Sequence, residues 1–202
     1  MNRYEKVFEI VKDVYTDELA EPTGFWMWNN HVQWVATKTK VLAEKYNAKV
    51  EFAVSAALLH DIGDAKYADR SHEDFDNWCV TKGYDVLSEA GFNDMEAKEI
   101  IEIIVDPHSC RPGNLPTTIE GRVLATADAM FHLQTNFFLI FFYEHMPKKT
   151  QSVTEWQDWF DEKVERDYGV KIFFEDERKE VEEDYKALKK VFGNRSLEEI
   201  NT

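Results

Sequence analysis

Four ionisable side chains of this sequence stand where the apolar faces of helices should be. His31 shares a helical face with Val35, Lys38 and Leu42. His60 and Asp61 end the run Ala53-Val54-Ser55-Ala56-Ala57-Leu58-Leu59. Asp128 falls within Leu124-Ala125-Thr126-Ala127-Asp128-Ala129-Met130-Phe131. An unpaired carboxylate in such surroundings is costly, so it must neutralise itself or find a cation. Two carboxylates and two imidazoles on core-facing helices are explained together by one bound divalent ion. Neutral imidazoles and ionised carboxylates suit Mn²⁺, Fe²⁺, Co²⁺, Ni²⁺ or Zn²⁺, and two histidines make Mg²⁺ less natural. Four protein donors leave positions open for water, whose pKa such an ion lowers until it is a nucleophile near neutral pH.

Each residue also has an ordinary reading. His31 alone could be a satisfied core histidine, a His-Asp pair at a helix end is common, and Asp128 could cap a helix or pair with Arg122. Adjacent His60 and Asp61 point about 100° apart on a helix. They converge on one ion only near the helix end, where Gly63 places them.

The elements that must carry these groups are helices. The pattern predicts helices over 3–19, 30–46, 50–62, 72–90 and 94–106, with an aromatic loop at 20–29 and Asn29 or Asn30 as N-cap. The 50–62 stretch is almost wholly apolar and must be buried. Gly63, Gly91 and Pro107 are the expected stops. Thr117 and Glu120 read as a capping box opening the helix of Asp128. Residues 150–192 read as two charged amphipathic helices stopped by Gly193-Asn194. No segment finds a partner strand, so the expected fold is all-α.

The chain has 202 residues, 44% hydrophobic and 14% aromatic, enough for a core without disulfide or metal. Its two cysteines, Cys79 and Cys110, make no disulfide framework. A formal charge of −15, from 39 acids and 24 bases, excludes a nucleic-acid coat protein or a polybasic membrane binder. The N-terminal stretch lacks an apolar signal core, and the longest apolar run, 137–143, is far short of the roughly 20 residues of a membrane span. The expectation is a cytoplasmic protein with no membrane or nucleic-acid partner. The run 137–143 is too apolar to stay exposed in a monomer. It is read as core, homodimer interface or lipid-like pocket wall, in that order. His132 and His145 are read as structural or surface residues.

The ordered set His31, His60-Asp61 and Asp128 resembles the H…HD…D signature of the HD superfamily of metal-dependent phosphohydrolases. The segment Ala56-Ala57-Leu58-Leu59-His60-Asp61-Ile62-Gly63-Asp64 is close to its core motif, and the likeness runs over about 28–132. The resemblance implies an HD-type helical bundle over 1–147, with 148–202 as a helical extension packed on the same domain. It implies a hydrolase holding one divalent metal through His31, His60, Asp61 and Asp128. In similar enzymes an acid at the position of Asp64 orients or deprotonates the attacking water, so Asp64 takes the acid/base role. A lysine at the position of Lys66 contacts substrate phosphate in related proteins, and His108 falls where many members keep a histidine near the site. His108 is assigned to substrate or leaving group, and Arg111 to bidentate phosphate binding. Dinuclear members need another histidine near position 78, where this chain has Trp78; His72 lies earlier. One metal is therefore expected.

Trp26 or Trp28 could stack on a nucleobase, although helix packing is the more ordinary use. Arg122 is expected to be structural. The residues after Asp128 do not continue with the second acidic cluster of many small HD nucleotide hydrolases, which leaves the substrate open. The leading reading is hydrolysis of a small phosphorylated metabolite, a nucleotide by preference. The alternatives are a binding module that retains metal or nucleotide without turnover, and a di-metal oxygenase, against which Trp78 speaks.

Overall fold

The computed structural model describes residues 1–149 and 152–193, with Thr23 and 144–149 described for the backbone alone. Asn194 and the side chain of His145 thus lie outside the described residues. Every regular element among the described residues is helical, as expected; there is no strand, only an isolated bridge between Arg111 and Asn114. The chain divides into two compact units, 1–127 and 128–202, the division falling inside one helix.

The first unit opens with α1 (Arg3–Thr16), started by a capping box in which Asn2 Oδ1 accepts from Glu5 N–H at 2.9 Å and Glu5 Oε2 from Asn2 N–H at 2.8 Å. Its Val7, Val11 and Tyr15, one turn apart, are wholly buried. The aromatic stretch expected as a loop is instead helical. Helix α2 (Pro22–Met27), started by Pro22, runs through a π-helical turn (Trp28–Val32) into α3 (Gln33–Lys45). Asn29 and Asn30 therefore cap nothing; their amides donate to the carbonyls of Phe25 and Trp26 at 2.9 Å, one turn back.

Helix α4 (Val50–Leu59) is the apolar centre, with every residue from Phe52 to Leu59 buried. It packs against α1, α3 and the helix that carries Ile100, Ile101 and Ile104. Its N-terminus is held from a distance, because Glu120 Oε1 accepts the Lys49 N–H at 2.8 Å. Glu120 thus does not close a box with Thr117; Thr118 Oγ1 accepts from Gly121 N–H instead, at 3.2 Å. The expected continuation of α4 to residue 62 is replaced by a 3-10 turn (Ile62–Ala65). Gly63 serves there by lacking a side chain: a Cβ would lie 2.4 Å from the Phe75 ring and 2.5 Å from Cys79 Sγ.

Helix α5 (Phe75–Ala90) ends as expected at Gly91, whose φ of 95° is the left-handed region glycine reaches without strain. Helix α6 (Asp94–Lys98), capped by Asn93, passes into a π-helical stretch (Glu99–Val105) and a 3-10 turn (Asp106–Ser109). Helix α7 (Ile119–Gln134) crosses the division between units.

The second unit continues with α8 (Phe137–Lys149), α9 (Val153–Arg166), a π-helical turn (Asp167–Lys171), α10 (Glu175–Glu180) and α11 (Glu182–Phe192). Three helices therefore stand where two were expected after residue 150. The apolar run 137–143 is one helix with a buried side: Phe138 is fully buried against Phe160, with ring centroids 4.9 Å apart, and Phe141 stacks on Trp159 at 4.5 Å. Leu139 and Tyr143 remain exposed. None of the described helices is long and apolar enough to cross a membrane.

Candidate metal centre

The π-helical turn fits one extra residue into the continuous helix 22–45. Gln33 N–H bonds to the Trp28 carbonyl, five residues back, and His31 sits in the widened turn, buried. Such turns often occur at functional positions. His60, which follows α4, still keeps helical angles, and Asp61 leaves them at φ −124° and ψ 23°. This exit is what lets neighbouring side chains converge. His31 Nε2 lies 2.9 Å from His60 Nε2 and 3.1 Å from Asp61 Oδ2, and His60 Nε2 lies 3.5 Å from Asp61 Oδ2. Donors at bond lengths of about 2.1 Å from one ion stand roughly 3.0 Å apart in neighbouring octahedral positions.

The donor chemistry fits as well as the spacing. His60 Nδ1 faces the Ala57 carbonyl at 2.7 Å. A carbonyl only accepts, so Nδ1 carries the proton and Nε2 presents its lone pair to the cluster. Tyr15 O–H donates to the Asp61 carbonyl at 2.6 Å and fixes the backbone where it leaves the helix. Burial pushes the Tyr15 phenol well above its usual range. Burial alone would raise the Asp61 carboxyl, but Arg70, His60 and His31 hold it well below the usual carboxylate range, so it is ionised and ready for a cation.

Asp64 lies in the 3-10 turn. Its carboxyl is raised, by burial first and by the charge of Asp61, with Arg70 opposing. Arg70 touches both acids: Nη2 donates to Asp61 Oδ2 at 2.9 Å and to Asp64 Oδ2 at 2.5 Å, and Nε to Asp64 Oδ1 at 2.9 Å. His108 also comes to this place. Its ring stands edge-on to that of His60 with centroids 5.3 Å apart, and its Nδ1 faces the Val105 carbonyl at 2.6 Å, leaving Nε2 as the acceptor. Lys66 and Arg111 are exposed, and no hydrogen bond or ion pair among the described residues ties either to the cluster. Trp28 is buried against Phe8 and Tyr15, the packing use, while Trp26 is half-buried. Trp78 stands edge-on to Tyr67, on which His72 stacks at 4.5 Å. Arg122 reaches the Pro116 carbonyl at 3.5 Å, a structural use.

Asp128 belongs to the second unit, where it joins a polar cluster with His132, Lys163, Asp167 and Lys171. Its Oδ2 pairs with Lys171 Nζ, and its Oδ1 is 3.5 Å from His132 Nε2. His132 Nδ1 lies 3.0 Å from Asp167 Oδ2, and Lys163 Nζ 2.9 Å from the same oxygen. Burial first, and Lys163 second, press the His132 imidazole down to about 4. Burial would raise Asp167, but Lys163 and His132 hold it far below the usual carboxylate range.

Sequence reasoning passed over Arg70, Tyr15, Lys163, Asp167 and Lys171. The available signal for Arg70 was slight: it is the one arginine between Arg3 and Arg111, in a loop shortly after two acids. Lys171 and Asp167 stand four apart on a charged helical pattern that also fits a solvated face.

The family model for the HD domain matches residues 29–131, half of the chain. A tRNA (cytidine(56)-2'-O)-methyltransferase of Thermoplasma volcanium is 27% identical over 115 residues, covering 50% of this chain and 31% of that protein. The chain thus spans less than a third of the length of that relative. No solved structure matches. The match and the meeting of His31, His60 and Asp61 in one helical bundle have the same meaning: the chain belongs to the HD-domain family.

Proposed function

We propose that this protein is a metal-dependent phosphohydrolase that cleaves a phosphoester or phosphoanhydride of a small phosphorylated metabolite, a nucleotide by preference. The observation that supports it is the meeting of His31 Nε2, His60 Nε2 and Asp61 Oδ2 at separations of 2.9 to 3.5 Å. The family signature adds Asp128 as fourth ligand, and Mn²⁺, Fe²⁺, Co²⁺, Ni²⁺ or Zn²⁺ suits the set. Bound there, such an ion supplies water activation and charge neutralisation at phosphorus.

The chain's own groups do the rest. Asp64, with its raised carboxyl, takes up and returns the proton of the attacking water. His108, its Nδ1 against the Val105 carbonyl and its ring beside His60, is assigned to contact substrate or leaving group. Lys66 and Arg111, both exposed, are the cations assigned to the outer phosphates. A charge of −15 disfavours a polynucleotide, so the methyltransferase's RNA substrate is not carried over. A cytoplasmic setting belongs to the same reading.

The test is a hydrolysis screen. Protein stripped of metal receives each of the five ions or Mg²⁺, and products from nucleoside mono-, di- and triphosphates are resolved by chromatography beside Asp61→Ala. Turnover that needs metal and disappears in the variant is the expected result. Metal binding without turnover of any phosphorylated compound would reject hydrolysis and leave a binding module.

A further inference from the structure

Arg70 is held in an unusual way. Nε and both hydrogens of Nη2 are committed to Asp64 and Asp61, while Nη1 has no partner among the described residues and the side chain is 55% exposed. The guanidinium is thus clamped by one edge and offers the other. Its loop is ordered from both sides. Asp69 Oδ1 accepts from Ser71 N–H at 2.9 Å, His72 N–H bonds to the Asp69 carbonyl at 3.2 Å, and Tyr67 is set between His72 and Phe75. The oxygen that Nη2 holds, Asp61 Oδ2, is the one that faces His31 and His60. Lys66, four residues earlier, has no such anchor among the described residues.

We propose that Arg70 is the phosphate-binding residue of this site, its free Nη1 edge taking a non-bridging oxygen of a phosphoryl group brought to the metal cluster. The inference rests on the phosphohydrolase reading and names the group that recognises its substrate. A planar guanidinium fixed in advance loses little freedom on binding a tetrahedral oxyanion, and it lies where charge grows during phosphoryl transfer. Charge explains why the anion does not bind too early. Asp61, Asp64 and Arg70 sum to −1 when the imidazoles are neutral, the proposed fourth ligand Asp128 makes the site more negative still, and a divalent ion raises the charge by two. Phosphate and metal therefore bind cooperatively, each tightening the other by the same factor.

Calorimetry with Mn²⁺ and with inorganic phosphate tests this on the full chain. Phosphate binds the Mn²⁺-loaded protein and not the metal-free one. Arg70→Lys, which keeps a charge on the two acids but loses the planar second edge, weakens phosphate about tenfold and shifts Mn²⁺ affinity less than threefold. Arg70→Gln removes phosphate binding. Wild-type phosphate affinity in Arg70→Lys, or no phosphate binding by the Mn²⁺-loaded wild type, overturns the proposal. The two readings fail separately. Arg70-dependent phosphate binding without turnover of any substrate rejects the hydrolase and keeps the anion site. Turnover with kcat/KM and phosphate affinity unchanged in Arg70→Lys rejects Arg70 alone.

Discussion

The first unit gathers His31, His60, Asp61, Asp64 and Arg70 at one place; the second gathers Asp128, His132, Lys163, Asp167 and Lys171. The ingredients are nearly the same, and the charge is not. The first set holds two acids against one arginine, and that arginine keeps one edge for solvent. The second set holds two acids against two lysines, with Asp167 fully buried and Lys171 almost so. Buried ions must be matched, because the desolvation of each costs several kcal/mol. The second cluster meets that cost from its own side chains, Lys171 holding the carboxylate of Asp128 that the proposed metal would have to share. The first is one positive charge short and has three donor atoms meeting at coordination distance, which is the arrangement that calls for an ion from outside.

Breaking the second cluster should have the largest effect. Asp167→Ala leaves Lys163 buried without its carboxylate and should cost about 3–5 kcal/mol in chemical denaturation. A loss under about 1 kcal/mol would show that the second cluster is solvated and the contrast mistaken. The pH dependence of stability sharpens the same point. The folded state holds the His132 imidazole at about 4 against an ordinary 6.5, so the unfolded chain takes up the proton first. In metal-stripped protein, stability should fall by roughly 3 kcal/mol as pH drops from 6.5 to 4 on this account, and Asp167, held lower still, adds its loss below that window. His132→Gln should flatten the slope between pH 6.5 and 4 and leave the loss below it. The smallest effect belongs to the first cluster. Tyr15→Phe removes the hydrogen bond that fixes the Asp61 backbone; it should weaken Mn²⁺ about tenfold in titration while costing about 1 kcal/mol of stability.

Much of this contrast was hidden in the sequence, and the reasons are physical. The helices and the all-α class follow from periodicity, and Gly91 marks its helix end because only a left-handed residue fits there. His31, His60 and Asp61 stood out because ionisable groups on apolar faces are conspicuous. The π-helical turns did not, since one inserted residue leaves composition unchanged and its placement depends on packing with the rest of the unit. Thr118 rather than Thr117 received the helix start, because Glu120 was drawn to the Lys49 N–H, a partner 71 residues away. For the same reason the sequence offered Arg122 as partner for Asp128, while the carboxylate found Lys171, 43 residues on. Local pattern shows which groups need a partner; it does not show which distant residue supplies it.

The widened turn at 28–32 has a consequence for how this chain can change. Deleting one residue from a buried helix ordinarily rotates one half by about 100° against the other and wrecks the packing of both. Here the helix already carries a surplus residue, so the loss of Asn29 or Asn30 would restore regular α-helical bonding and keep both halves in register. Only the displacement that brings His31 to its partners would vanish. A one-residue deletion there is thus expected to leave a folded helical bundle with His31 drawn away from its partners, readable as lost Mn²⁺ binding in a protein that still unfolds cooperatively.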